Sequence, residues 1–326
     1  MELTYTWTNQ SNCSNPFDGH QEITGRPLHP AAGTPCGEPD RSAWIGGCED
    51  GRMLLTPRYG PNPVVTLDGD PAAIGEPLIR QRRRLAETLG RMSEEQWSHP
   101  SRCDGWSALD VAVHLASTNS FWEASIGSGV AGVPTEILAS FDPVATPAQM
   151  VATSDQGATE VVEAFAASTE SLAALVAELA PSDWELLAEA PPGHVSVSAV
   201  AHHALWDSWI HERDILLPLG ESPAEEPDEI IASLRYVASL APGLALTRGA
   251  ARSGGFDVTA SGPDTSFHVA IGTDVAVTDG AAGSHFVLAG KAVDLLEALS
   301  VRAPLNIAVP DELGWAFSGL RTVFDN

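Results

Sequence analysis

Residues 97–115 read WSHPSRCDGWSALDVAVHL, and residues 203–214 read HALWDSWIHERD. In the first stretch CDG supplies a turn, Ser107 stands where an N-cap belongs, and Asp110 follows three residues later in a capping-box position, so a helix starts near Ala108. His114 then falls among Val111, Ala112, Val113 and Leu115, on or near a buried stripe. In the second stretch Asp207 and His211 are four residues apart. On a helix of 3.6 residues per turn both side chains leave the same face, one turn above the other, so one metal ion can touch both. Imidazole and carboxylate suit zinc, nickel, iron, manganese or cobalt, and three protein ligands leave positions open for water or substrate. Taken alone, each signal also fits a plainer reading: a hydrogen-bonded Asp–His pair on a helix, and a satisfied core histidine at 114.

Working outward, four helices are expected over 62–220. The first starts at Asp70–Pro71 and carries Ile74, Leu78, Leu85 and Leu89; the second is the Ser107 helix. The third starts near Thr146–Pro147 and carries Val151, Val162, Phe165, Leu172, Leu175 and Leu179. The fourth follows a loop, APPGHVS, and carries Asp207 and His211. Ligands from the second and fourth helices would meet inside such a bundle. Trp122, Trp206 and Trp209 fall near this point in sequence, as core packing or as the wall of an apolar pocket. After the acidic, Pro-containing break LLPLGESPAEEPDE comes an amphipathic helix over 228–247. FDVTASG, SFHVAIGTDVAVTDG and SHFVLAG then alternate like an antiparallel sheet, and KAVDLLEALS and VPDELGWAFSGLRTVF read as helices. The expected fold class is therefore α+β, with a helical bundle over 62–220 and an α+β domain over 221–326. Residues 1–60, rich in Gly, Pro, Asn, Ser and Asp, are expected to be an irregular or disordered extension. Met53 reads as an alternative start, which would make residues 1–52 an over-called leader.

Residues 97–115 closely resemble the N-terminal signature of the mycothiol-dependent maleylpyruvate isomerase family, within the DinB-like four-helix superfamily, whose typical form is W-x-x-P-S-x-C-x-G-W-S-x-x-D-V-x-x-H-L. HALWDSWIHERDILLPLG resembles the same family's later metal helix, with Asp207 in place of the usual Glu and Asp214 in the last defined place. The resemblance implies His114, Asp207 and His211 as ligands of a divalent metal, with His203, one turn before Asp207, as a substitute. It implies mycothiol as thiol cosubstrate and a small electrophile as its partner. It also implies a sterol-carrier-like C-terminal domain and either thiol-assisted cis–trans isomerisation or thiol transfer. Asp214, three residues beyond His211, is placed to accept a hydrogen bond from the imidazole nitrogen that faces away from the metal, or to form a salt bridge with Arg213 or another helix. No distinct general base stands out; His202 and His203 are candidates wherever a pocket brings them within hydrogen-bond reach. A non-enzymatic binder of apolar ligands and a metal hydrolase using bound water are the competing classes.

Composition sets the limits. Lys and Arg total 17 against 43 Asp and Glu, a net charge of −26, which opposes nucleic acid and anionic membrane as partners. No apolar run approaches the eighteen residues of a membrane span, and the start lacks a secretory signal, so a cytoplasmic protein, monomer or homodimer, is expected. The basic run RQRRR at 80–84 is expected as a solvated face paired with the chain's own carboxylates. Cys13, Cys36, Cys48 and Cys103 lack C-x-x-C spacing and are expected reduced, Cys103 as a partly buried turn residue or a catalytic thiol.

Overall fold

The computed structural model describes residues 56–250 and 252–324. The expected extension over 1–60 and the alternative start at Met53 fall almost entirely outside these residues.

Four long helices form the bundle: α1 (Gly75–Leu89), α3 (Ala108–Val130), α5 (Ala158–Glu178) and α6 (Val197–Leu216), with a short α2 (Glu94–Trp97) between the first two. The helix start read at Ser107 is where α3 begins, with Ser107 and Asp110 in a reciprocal capping box. The expected third helix is two: α4 (Ala145–Thr153) stops at Ser154, and α5 restarts after Asp155–Gln156–Gly157. The Gly157 N–H donates to the Glu160 carboxylate at 2.7 Å, fixing the new start. APPGHVS is not a loop. It forms most of a hairpin of β2 (Leu187–Ala190) and β3 (Gly193–Ser196), turned by Pro191–Pro192 with Gly193 at φ 125°, where an added Cβ would collide with the Arg58 backbone. Ser196 then caps α6 through the Ala199 N–H.

Beyond the bundle come α7 (Pro227–Thr247), β4 (Gly254–Ser261), β5 (Thr265–Ile271), β6 (Val275–Asp279), β7 (Val287–Lys291), α8 (Ala292–Leu299) and α9 (Gly314–Phe324). The sheet is mixed rather than purely antiparallel. Its order is β1-β6-β5-β4-β7, where β1 (Val65–Leu67) precedes the bundle in sequence, and β1–β6 and β4–β7 are parallel. Pairing across the whole bundle leaves no local mark in the sequence, so alternation alone could not reveal it.

Two apolar clusters result. One runs from Ile74, Leu78, Trp122 and Trp206 through α7 to Phe256, Phe267 and Leu320. The other gathers Leu85, Leu89, Val111, Leu115, Phe165 and Ile215 at one end of the bundle. Between them α6 is buried on every side, His202 alone being half-buried. Such a helix is covered all round, and its many polar residues therefore need partners inside the protein. α7 has the length and hydropathy of a membrane span, yet it is packed as a core helix between α6, the sheet and α9.

Candidate metal centre

The loop before α3 is tightly pinned. Gly105 takes φ 76°, the Ser101 hydroxyl donates to the Trp106 carbonyl at 2.8 Å, and the Arg102 N–H donates to the Asp214 carbonyl at the far end of α6. This fixes the rotation of α3 against α6, so His114 faces Asp207 and His211. Nε2 of His114 lies 3.9 Å from Asp207 Oδ1, and Nε2 of His211 lies 3.6 Å from the same oxygen. The donor atoms of the three residues are all within 4.8 Å of one another. Those separations are too long for hydrogen bonds. Donors that share one ion at about 2.0–2.2 Å stand roughly 3–4 Å apart.

Asp207 supplies the sharpest test of fit. Its Oδ2 is buried with no hydrogen-bond partner, an expensive position for a carboxylate oxygen unless a cation joins it. Burial works to raise this carboxyl, but the facing imidazoles of His114 and His211, with His203 beyond, outweigh it and hold it well below the usual carboxylate range. The site thus keeps a full negative charge between two imidazoles, a donor set that suits a divalent ion.

His211 is oriented from behind. Its Nδ1 lies 3.0 Å from Asp214 Oδ2, an acceptor that keeps a proton on Nδ1 and leaves Nε2 as the nitrogen facing Asp207 and His114. Asp214 is fully buried and strongly partnered: Arg102 Nε donates to Oδ1 at 3.0 Å, and Arg302 donates through Nε and Nη2, also at 3.0 Å. Of the two expectations for Asp214, the hydrogen bond to His211 is therefore formed, together with ion pairs to Arg102 and Arg302. Arg213 turns instead to Glu297 at 2.6 Å. Arg302 reaches Asp214 because Val301, at φ 59°, turns the chain sharply after α8, a strained conformation for a β-branched residue.

Cys103 lies behind the same ring, its thiol 3.3 Å from Asp214 Oδ2 and 3.7 Å from His211 Nδ1. Cys103, His211 and Asp214 are also close enough together to hold an ion. Two guanidinium groups already occupy the Asp214 carboxylate, however, and they oppose a second cation there.

The two remaining histidines part company. His203 sits one turn before Asp207, among Trp122, Trp206 and Tyr236. His202, turned about 100° from it on the helix, donates Nδ1–H to the Ser198 carbonyl at 2.8 Å; burial and the charge of Arg235 lower its pKa to about 4. It does not join the centre. Trp122, Trp206 and Trp209 are core residues, and the Trp206 indole N–H donates to Ser300 Oγ at 2.8 Å.

Within RQRRR the expected pairing with the chain's own carboxylates holds for Arg80, Arg83 and Arg84, which pair with Glu76, Asp228 and Glu229, with Glu170, and with Glu212 and Glu229; Arg83 lies on a solvated face, whereas Arg84 turns inward to two buried carboxylates. Arg82 departs from it. It is completely buried, bonded to Asn119 Oδ1 and to the Ala204 carbonyl, and its charge acts on Asp207. Its spacing gave a signal, because Leu78, Arg82, Leu85 and Leu89 recur at i, i+4, i+7 and i+11 along one helix face. Arg102, Glu297, Arg302 and Tyr236 left none, since their roles arise from elements distant in sequence.

Residues 78–216, from α1 to the end of α6, match the family model described as the mycothiol maleylpyruvate isomerase N-terminal domain. Over those residues the helical bundle is similar to that family's N-terminal domain. A crystal structure of the mycothiol-dependent maleylpyruvate isomerase, and one of a histidine-to-alanine variant of it, have the same fold as the chain. Each has a TM-score of 0.50 at 16% identity, over 71% of this chain and 90% of the other. The likeness thus covers more of the chain than the family domain does. No curated protein matches the chain in sequence.

Proposed function

We propose that this chain is a metal-dependent enzyme that uses a low-molecular-weight thiol, mycothiol in the first instance, to isomerise a small cis-configured electrophile or to transfer the thiol to it. The observation that carries the reading is the convergence of His114, Asp207 and His211 around a buried, unpartnered carboxylate oxygen. The match of the bundle to the isomerase family model supports the thiol. In this reading the three side chains hold one ion, zinc first, with nickel, iron, manganese and cobalt also compatible. The bundle is DinB-like, the part beyond about residue 220 is a sterol-carrier-like domain, and the protein works in the cytoplasm as monomer or homodimer.

The bound ion supplies one thing, a thiolate at neutral pH from a thiol whose free pKa is about 8.5. The chain does the rest. Asp214 holds the His211 proton on Nδ1, and Arg102 and Arg302 keep Asp214 ionised and still. The indole of Trp106 lies 5.5 Å from the His114 ring, on one side of the centre. For isomerisation the thiolate adds to one alkene carbon and the electron pair moves onto the adjacent carbonyl. The new single bond rotates, and expulsion of the thiolate restores the alkene, so the thiol is not consumed. Transfer stops at the adduct, whose enolate takes up the proton that the thiol released.

The test is metal content in protein purified without chelator, for the parent, His211→Ala and Asp207→Ala. The parent is expected to carry about one equivalent and both variants little. A parent that stays metal-free after reconstitution sinks the proposal. Turnover that continues undiminished without thiol replaces it with a hydrolase that uses bound water.

A further inference from the structure

His203 lies on the same helix as Asp207, one turn earlier, with its ring 4.7 Å from Trp122, 5.2 Å from Trp206 and 5.1 Å from Tyr236, centroid to centroid. It retains 5% of its surface, whereas Tyr236, from α7, has none. The Tyr236 hydroxyl is 2.7 Å from His203 Nδ1. Among the described residues that hydroxyl has no other acceptor, and Nε2 of His203 has no partner.

The tautomer follows from this arrangement. If Nδ1 carried the imidazole proton, Tyr236 would have to accept it, and its own hydroxyl proton would be stranded in a dry interior, which is costly. If the hydroxyl donates to Nδ1 instead, the proton of the fully buried tyrosine is placed, and the one open donor is Nε2–H, on the residue that keeps some exposed surface. Burial, with the nearby Asp207 charge, pushes Tyr236 far above its ordinary range, so it remains a donor. A hydroxyl that donates to Nδ1 needs a lone pair there, so the ring carries a single proton and is neutral. The proton of that neutral ring then sits on Nε2.

We infer that Tyr236 fixes His203 as a neutral Nε2–H donor, and that this donor holds an anionic oxygen of the electrophile, a carboxylate or a developing enolate, beside the metal centre. His203 is then not the general base that its position in the sequence suggested, because a base needs a lone pair where this ring carries a proton. Tyr236 touches no substrate; it is a positioning residue. A fixed donor in an aromatic, water-poor setting is the arrangement that stabilises charge developing on an oxygen. The identity of the ligand rests on the thiol-enzyme reading, but the tautomer does not.

The test begins with histidine ring 15N–1H correlation spectra of the full chain, with and without zinc, for the parent and Tyr236→Phe, the His203 signals being assigned by their loss in His203→Gln. One Nε2–H tautomer in the parent at neutral pH, lost as a single species in Tyr236→Phe, is expected. An Nδ1–H tautomer or an imidazolium in the parent overturns the inference whether or not zinc binds, which separates this failure from failure of the metal reading. Calorimetric binding of maleate, the simplest cis-enoyl diacid, tests the role of the donor. His203→Gln, whose amide offers a donor near the Nε2 position, is expected to stay within about 3-fold of the parent, and His203→Ala to bind roughly 10- to 100-fold more weakly. Equal losses in the two variants, or a parent that binds no maleate, overturn the oxygen-binding role.

Discussion

At position 82 a guanidinium group lies wholly inside the bundle, and its placed bonds go to neutral partners, the Asn119 amide oxygen and the Ala204 carbonyl. Burial lowers its pKa to about 10 against the opposing pull of Asp207, so it stays charged at neutral pH. Asp207 thus has a fixed positive charge on one side and two imidazoles on another, which explains how a carboxylate survives at such depth. Removing the cation should expose that dependence. Arg82→Met, similar in volume, strands the Asn119 oxygen, takes a second donor from the Ala204 carbonyl and leaves Asp207 less compensated; it is expected to cost about 3–5 kcal/mol, read as a lower urea midpoint at unchanged slope. An unchanged midpoint would show that Arg82 is incidental. Asp214→Asn is milder. It keeps the shape but weakens the acceptor behind His211, and metal affinity is expected to fall by roughly 10- to 100-fold in a competition titration against a chelator of known affinity.

Among the elements, α3 has the most exacting fit. Its residue Gly129 packs against β2 so closely that an added Cβ would stand 2.5 Å from the Leu187 carbonyl oxygen and 2.9 Å from Ala188 Cβ. One turn earlier, Ser125 Oγ both donates to the Glu189 carbonyl and accepts the Glu189 N–H, each at 2.8 Å. The hairpin is thereby strapped to α3 and leads directly into α6, so the register between the helices carrying His114 and Asp207 is fixed at both ends. Gly129→Ala must push the hairpin away from α3. The expected cost is about 1–3 kcal/mol of stability, with metal affinity falling too as α6 shifts against α3. Full stability in thermal unfolding would mean that the hairpin yields without strain. The hairpin leaves little local sign in the sequence because its strands are only four residues long and Pro-Pro-Gly dominates the pattern, whereas the α3 start is legible because its capping box is local.

For the molecule as a whole, one carboxylate ties the C-terminal sheet to the loop before β7. Asp257 on β4 accepts the backbone N–H groups of Ala282, Gly283 and Ser284 at 2.8–3.0 Å, and Nδ1–H of His268 at 2.8 Å. Burial works to raise it, but the Ser284 and Ala282 N–H groups and His268 prevail and depress it well below the usual range. A carboxyl depressed in the folded state stabilises fully above its unfolded pKa of about 3.9, and that contribution drains away as the pH falls toward the folded value. Asp257→Asn is therefore expected to lower the urea midpoint at pH 7, with a gap to the parent that narrows as the pH drops below about 4. A gap of constant size across that range would count against the depressed carboxyl. The loop held by Asp257 leads into β7, so this one residue helps set the parallel β4–β7 pairing.

What the sequence determined by itself was everything encoded within a few turns of helix or a few residues of strand. The cap at Ser107, the shared face of Asp207 and His211, the relation of Asp214 to His211 and the strands of the sheet all rest on spacings below about a dozen residues, where backbone geometry alone decides which side chains meet. Only the tertiary structure decided which distant groups complete them. Arg302 and Arg102 close on Asp214, Tyr236 sets the proton on His203, β1 crosses the bundle to pair with β6, and Arg82 enters the core instead of joining its neighbours at the surface. Each of these is a long-range pairing that satisfies a buried charge or polar atom. The requirement for a partner follows from the residue, but the choice of partner follows from which elements the folded chain brings together.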